Sequence, residues 1–276
     1  MMSSLHHNQG YSAQMPYIYA YFRQQHPAMM HWQLLLQGYA IPDDIKQLPH
    51  LELGFGQGLG LSLSAVSRQA EHYVGVDFMP EHSAGVEKLC NGIAPHLMLY
   101  PTDFQIFLDQ NATRFQSISL HGVWSWVNPE IRQQLLNIIE RFLAKGGVVY
   151  LSHNTLPGRA PVLPLQRLLY LTGKSVKLDE MSSLTAAFAT LAQSLPQSRY
   201  AQEYPNLSHW WEEISQAHPA YLTHEYMSSA WFPMLFADTA SLLAQAKLSY
   251  LCSADTIELI TDLHLSTEQQ AWLTQF

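Results

Sequence analysis

The sequence predicts an α/β fold, a doubly wound and mostly parallel sheet with helices on both faces. Three stretches predict it. The short run His50–Leu53 gives way to the turn Gly54-Phe55-Gly56-Gln57-Gly58-Leu59-Gly60 and then to helical apolar spacing, the strand–turn–helix order of an open α/β sheet. A second β-rich run, Tyr73–Asp77, follows and ends in an acid. Farther on, the amphipathic stretch Glu130–Ala144, the pair Gly146-Gly147 and the β-branched run Val148–Ser152 make another helix-then-strand unit, as in the final crossover of such a sheet.

Size and charge bound the function. A chain of 276 residues, 47% hydrophobic and 13% charged, buries a full core and leaves little room for a disordered tail. A net charge of −8 argues against wrapping nucleic acid, which needs a basic face, but leaves a basic protein or peptide open as partner. Cys90 and Cys252 stand far apart and form no zinc motif, so a reducing cytoplasm is expected. The 14 histidines contain no H-E-x-x-H or comparable cluster, and no metal is expected. The N-terminus lacks an apolar signal core, and no apolar run reaches membrane-spanning length.

In chain order, residues 1–48 read as an N-terminal helical segment. Its aromatics Tyr11, Tyr17, Tyr19, Tyr21, Phe22, Trp32 and Tyr39 suit a lid over a cofactor cleft, or a helical pair packed on the sheet. Ala28–Gln37 has helical spacing and closes at Gly38. Residues 49–276 form the main domain. After the first strand and its turn, Leu59–Arg68 is the first crossover helix, Tyr73–Asp77 the second strand and Glu81–Asn91 the next helix. Ala94–Tyr100 is the third strand and Phe115–Val123 the fourth. Residues from about 160 to 220 lack strand alternation and read as a helical insertion after strand five. Leu248–Ala254 and Thr256–Ile260 are expected to close a seven-stranded sheet as a hairpin with an antiparallel final strand. A helix capped by Asp238 precedes them and a terminal helix, Thr267–Phe276, follows.

The glycine turn selects the cofactor. A dinucleotide fingerprint would put its third glycine at Leu59 or Leu61, and no Gly-Lys-Ser/Thr follows for a phosphate loop. What stands is Glu52-x-Gly54-x-Gly56-x-Gly58, with glycines where a side chain would block close approach of backbone to ligand and a helix start offering free N–H groups. This pattern resembles motif I of the class I S-adenosylmethionine (SAM) methyltransferases. Asp77, at the end of strand two, stands where such folds hydrogen-bond a ribose, or caps the helix near Pro80. Phe78 is placed to pack on an adenine. Asp103 accepts from the adenine amino group with Phe104 on the ring, or else caps Phe104–Asp109. After strand four, His121, Trp124, Ser125, Trp126 and Asn128 bound a pocket for a methyl acceptor, or one tryptophan is core.

Four runs carry a wider resemblance. They are Tyr17-Ile-Tyr-Ala-Tyr21-Phe22-Arg23-Gln-Gln-His26-Pro27, His121-Gly-Val-Trp124-Ser-Trp126-Val127, Ser152-His153-Asn-Thr-Leu-Pro157-Gly158 and Tyr221-Leu-Thr-His224-Glu225-Tyr226. Together they are similar to the bacterial SAM-dependent methyltransferases of the "methyltransferase regulatory domain" group, which includes rickettsial protein-lysine methyltransferases. The sequence departs from that group at Phe55, His153 and Arg159, where it usually has a Cys or small residue, a Tyr and a Trp. The group often continues into a C-terminal regulatory domain, and this chain is expected to stop before it.

The resemblance implies a SAM-dependent methyltransferase acting by in-line displacement, with a protein lysine or a small molecule as acceptor. It implies cofactor contacts from Glu52, Gly54, Gly56, Gly58, Asp77, Phe78, Asp103, Phe104 and His121. His121, Trp124 and His153 are the expected catalytic residues. The rival readings are a methyltransferase-like SAM-binding or interaction protein without activity, and a nicotinamide-dependent oxidoreductase, which the glycine spacing disfavours.

Overall fold

A computed structural model describes residues 17–68, 71–176 and 178–275. After the short helix α1 (Pro27–Leu36), whose N-cap His26 accepts the Ala28 amide at 3.1 Å, the chain alternates strand and helix. The elements are β1 (His50–Leu53), α2 (Leu59–Ser67), β2 (Tyr73–Asp77), α3 (Pro80–Cys90), β3 (Leu97–Pro101), α4 (Phe104–Gln110), β4 (Phe115–Leu120), α5 (Pro129–Phe142) and β5 (Leu143–Leu151). The second half is helical apart from two short strands. It runs β6 (Thr155–Leu156), α6 (Leu163–Val176), α7 (Glu180–Ser194), α8 (Arg199–Glu203), α9 (Leu207–Gln216), α10 (Pro219–Tyr226), β7 (Met234–Leu235), α11 (Phe236–Gln245) and α12 (Thr267–Leu273).

All pairings in the five-stranded sheet are parallel, in the order β3-β2-β1-β4-β5. The order reverses between β1 and β4, and such a switch point opens a crevice at the carboxyl ends of the strands. The glycine turn leaves β1 at that crevice. Every residue of β1, β2 and β4 is buried, whereas β3 and β5 are partly open, as expected of interior and edge strands in a sheet covered on both faces.

The chain divides into two compact units. The sheet unit comprises Ala20–His121, Gln134–Ser152 and residues from Ala240 onward. Leu51, Val76, Ile118, Leu135, Ile138 and Phe142 are among its buried side chains. The helical unit comprises Gly122–Gln133, His153–Thr239 and the described N-terminal residues up to Tyr19. Its core joins Leu165 and Leu169 of α6, Leu184 and Leu191 of α7, and Leu222 and Tyr226 of α10. Among the described residues no helix is long and apolar enough to cross a membrane.

Three expectations are corrected here. The described sheet has five strands, and no antiparallel hairpin closes it: residues 248–260 hold no strand. Local side-chain bonds win over β-propensity there. Ser253 Oγ accepts the Asp255 amide at 3.1 Å and Asp255 Oδ1 accepts the Ile257 amide at 3.0 Å, bending the chain into a 3-10 turn at Ile257–Leu259. The second concerns Gly146-Gly147, which lie inside β5 rather than capping a helix. Gly146 has φ +82° beside Pro42, and the register of β4 with β5 shifts between Phe115 and Ser117, so the glycines serve a bulge. The helix expected to be capped by Asp238 begins at Phe236, with Asp238 inside its first turn.

Candidate cofactor-binding site

The site grows out of the turn between β1 and α2. Gly54, Gly56 and Gly58 have φ of +71°, +56° and +65°, left-handed values that cost a side-chain-bearing residue about 1–2 kcal/mol. The turn is pinned by Gly54 N–H to the Val76 carbonyl at 2.7 Å and Gly58 N–H to the Phe55 carbonyl at 2.9 Å. The two later glycines do different things. A Cβ at Gly58 would lie 2.1 Å from Val86 Cγ2 on α3, so that glycine permits helix packing. A Cβ at Gly56 would meet nothing within 4 Å, so its backbone fronts open space. Gly58 is also the N-cap of α2 and makes no side-chain cap hydrogen bond, leaving the helix start free to meet an anionic group.

Asp77 closes the back of this turn. It is buried, accepts the Gly56 amide on Oδ2 at 2.9 Å, and accepts the Met79 amide and His82 Nδ1 on Oδ1, each at 3.0 Å. The N-cap of α3 is Met79, so Asp77 serves the helix start through the Met79 amide and His82 and does not cap it. His82 escaped the sequence reading. Its signal was a histidine in the first turn of the helix that opens three residues after the acid. Its Nε2 is buried without a hydrogen-bond partner among the described residues. Glu52 lies buried on β1, and loss of hydration, reinforced by the Asp77 charge, pushes its carboxyl up to about 8.

Of the residues expected to face an adenine, Phe78 and Phe104 are half-buried and Asp103 is exposed. Asp103 Oδ1 accepts the Ile106 amide at 2.8 Å and caps α4, so the capping alternative is realised and one oxygen is committed to it. At the end of β4, His121 is bonded through Nδ1 to the Tyr150 hydroxyl at 2.8 Å and stacked on Phe22, centroids 3.6 Å apart. Burial holds the imidazole down to about 4, so it is neutral at pH 7 and a weak base. In sequence Phe22 stands out as one of the N-terminal aromatics and as part of the first family-like run.

Trp124 and His153 belong to the helical unit. Trp124 is fully buried, which realises the alternative of a core tryptophan. Trp126 stacks on Trp231 with centroids 5.5 Å apart. Ser125 Oγ accepts the Asn154 amide at 2.8 Å, fastening the turn that carries His153. His153 is half-buried, its Nδ1 has no hydrogen-bond partner among the described residues, and burial lowers its pKa.

The sheet order and the turn give a fold of the class I SAM methyltransferase type. Residues 218–276 match the family model described as "Predicted methyltransferase regulatory domain". This corrects the expectation that the chain stops before such a segment, since the match occupies its C-terminal end. The chain is 29% identical to sll1526 of Synechocystis sp. over 97% of this chain and 53% of that protein. It is 23% identical to RP028 of Rickettsia prowazekii over 67% of this chain and 75% of that one. Its fold is similar to that of PKMT2 from Rickettsia typhi, solved in complex with AdoHcy, with a TM-score of 0.77 at 22% identity, over 94% of this chain and 50% of that chain. The chain therefore spans about half the length of sll1526 and of PKMT2.

Proposed function

We propose that the protein is a SAM-dependent methyltransferase. The observation that carries this reading is the turn at Gly56: left-handed backbone facing open space, with its amide bonded to a buried acid on the neighbouring strand. A rigid, side-chain-free bend of that kind suits the amino-acid half of a nucleoside-linked methionine. The likeness to PKMT2, solved with AdoHcy, supports the same cofactor.

Gly54, Gly56 and Gly58 then hold the methionine end by backbone, together with the free start of α2. Glu52 sits beneath them with its proton on at pH 7. Asp77 is assigned to the ribose, Phe78, Asp103 and Phe104 to the adenine, and His121, neutral and flanked by Phe22 and Tyr150, to the wall of the pocket. SAM when bound supplies an electrophilic methyl carbon on a sulfonium. The protein's share of the work is alignment and exclusion of water. His153 is assigned the proton-handling role, because a neutral imidazole with an unpartnered Nδ1 is free to accept a hydrogen bond.

For the acceptor we infer a lysine amine of a polypeptide, which an acidic chain of net charge −8 favours over an anionic substrate. Calorimetry with S-adenosylhomocysteine tests the cofactor, and transfer of tritiated methyl from SAM to lysate proteins, followed by amino-acid analysis, tests the acceptor. Absence of S-adenosylhomocysteine binding defeats the proposal; label on oxygen or sulfur replaces the lysine with another acceptor.

A further inference from the structure

At the start of α5 the helical unit buries a cation that no acid neutralises. Arg132, in the first turn of that helix, keeps 8% of its surface exposed. All 22 Asp and Glu residues lie among the described residues, and none of them forms an ion pair with it. Glu130, the acid of the same turn, is exposed and is not paired with it. A helix start is itself the positive end of a dipole, so the guanidinium gains no compensation from its own backbone.

The groups that hold it are weak acceptors. Nε donates to the Val127 carbonyl at 3.4 Å, longer than an ordinary hydrogen bond, and Nη1 donates to the Met234 thioether at 3.0 Å. The guanidinium carbon stands over the Phe232 ring, 5.2 Å from its centroid. This frame is tied together by backbone. Phe232 N–H donates to the Ser125 carbonyl at 2.8 Å, Met234 N–H to the Asn154 carbonyl at 3.1 Å, and Asn154 N–H to Ser125 Oγ at 2.8 Å. Nη2 has no hydrogen-bond partner among the described residues, yet it is not sealed from solvent. A side chain kept only to fasten β7 would gain nothing from this charge, since an apolar replacement for a buried unpaired charge commonly stabilises.

The planar fork of a guanidinium matches a carboxylate, which two parallel N–H groups hold at once. One cation in a chain of net charge −8 suits a single negative charge better than a phosphate dianion. Phe232 and Met234 suit an apolar body behind it. We infer that Arg132, framed by Val127, Phe232 and Met234, is a binding site for a carboxylate on an apolar stem, carried by a free organic acid or by an acidic side chain of a polypeptide. The site lies wholly within the helical unit and stands or falls separately from the cofactor reading.

The test is titration of the full chain, followed by tryptophan fluorescence from the stacked pair Trp126 and Trp231, which adjoin Val127 and Phe232 in sequence. The probes are 3-phenylpropanoate for a free acid and Nα-acetyl-L-glutamate α-methylamide for an acidic side chain. Their controls are the uncharged 3-phenylpropanamide and Nα-acetyl-L-glutamine methylamide. At least one acid is expected to saturate where its amide gives no response, and the tighter of the two names the source. Arg132→Met is expected to weaken that binding at least tenfold with an unchanged or higher melting temperature. Arg132→Lys keeps the charge without the fork and is expected to weaken it at least fivefold. Saturation by neither acid, equal binding of an acid and its amide, tighter binding of inorganic phosphate than of either acid, or Arg132→Met within twofold of wild type overturns the proposal. If Arg132→Met does not fold, Arg132→Lys decides it, and affinity within twofold of wild type overturns it. A parallel titration with S-adenosylhomocysteine separates the two readings. Its failure in wild type beside intact carboxylate binding removes the cofactor proposal alone, whereas its loss in either folded Arg132 variant gives Arg132 to the cofactor's own carboxylate and overturns the separate site.

Discussion

The Asp77 carboxylate accepts the Gly56 amide at 2.9 Å, so an acid at the end of one strand fixes the backbone of the turn that leaves the next. The same carboxylate takes the Met79 amide and His82. Asp77→Ala strands three donors, two of them backbone, and is expected to cost roughly 3 kcal/mol of stability. Asp77→Asn keeps the size but turns an amide N–H₂ toward one set of donors. Both variants are expected to lose at least tenfold in S-adenosylhomocysteine affinity by calorimetry at a temperature where each remains folded. Affinity unchanged in a folded Asp77→Asn protein removes the acid from the site.

Gly56 and Gly58 give a double dissociation. Alanine at Gly58 drives its methyl into Val86, an overpacking cost of about 1–3 kcal/mol on top of the left-handed φ. Alanine at Gly56 meets no protein atom and bears only the conformational cost. Thermal melts are expected to rank Gly58→Ala as the less stable protein. Titration is expected to rank Gly56→Ala as the weaker binder, because its methyl occupies the space where ligand approaches. Equal affinity for wild type and Gly56→Ala contradicts a ligand against that backbone.

Glu52 makes stability fall with rising pH. Its folded pKa, about 8, lies above the ordinary carboxyl value of 4.5. The unfolded chain therefore gives up this proton first, and the native state is progressively disfavoured as pH climbs from about 4.5 to about 8. His50 acts in the opposite sense and over a lower window. Burial between Ser117 and Ser119 holds it down to about 3, so stability contributed by the neutral ring is lost as pH falls from about 6.5. Denaturant titrations should show Glu52→Gln more stable than wild type by on the order of 2 kcal/mol at pH 8 and indistinguishable from it at pH 4. A pH-independent difference points to packing instead of ionisation.

The parts of this molecule that sequence exposes are those whose cause is local. β1, β2 and β4 are buried throughout, polar residues such as Glu52, Ser117 and Ser119 included, as both faces of an inner parallel strand are, and Gly54, Gly56 and Gly58 announce a left-handed turn whatever surrounds them. Gly146-Gly147 show the limit of the same signal: a glycine pair is equally a helix stop or a bulge, and Pro42, a hundred residues away, decides which. The hairpin expected after Leu248 fails for a related reason, since Ser253 and Asp255 redirect the chain with their own side chains.

His121 offers a prediction free of any assumption about the acceptor. The ring is fixed by the Tyr150 hydroxyl at 2.8 Å and covered by Phe22, and its folded pKa near 4 places its ionisation well below neutrality. Because the depressed value stabilises the native state only while the ring stays neutral, this contribution fades as pH drops from about 6.5 toward 4. With 13C-labelled histidine, the ring resonance assigned by its disappearance in His121→Gln is expected to show no inflection between pH 5.5 and 8. Phe22→Ala opens the stacked face to water and is expected to move the inflection upward toward the ordinary value of 6.5. A wild-type inflection near 6.5 shows instead that the ring is hydrated, and returns His121 to the candidates for proton transfer.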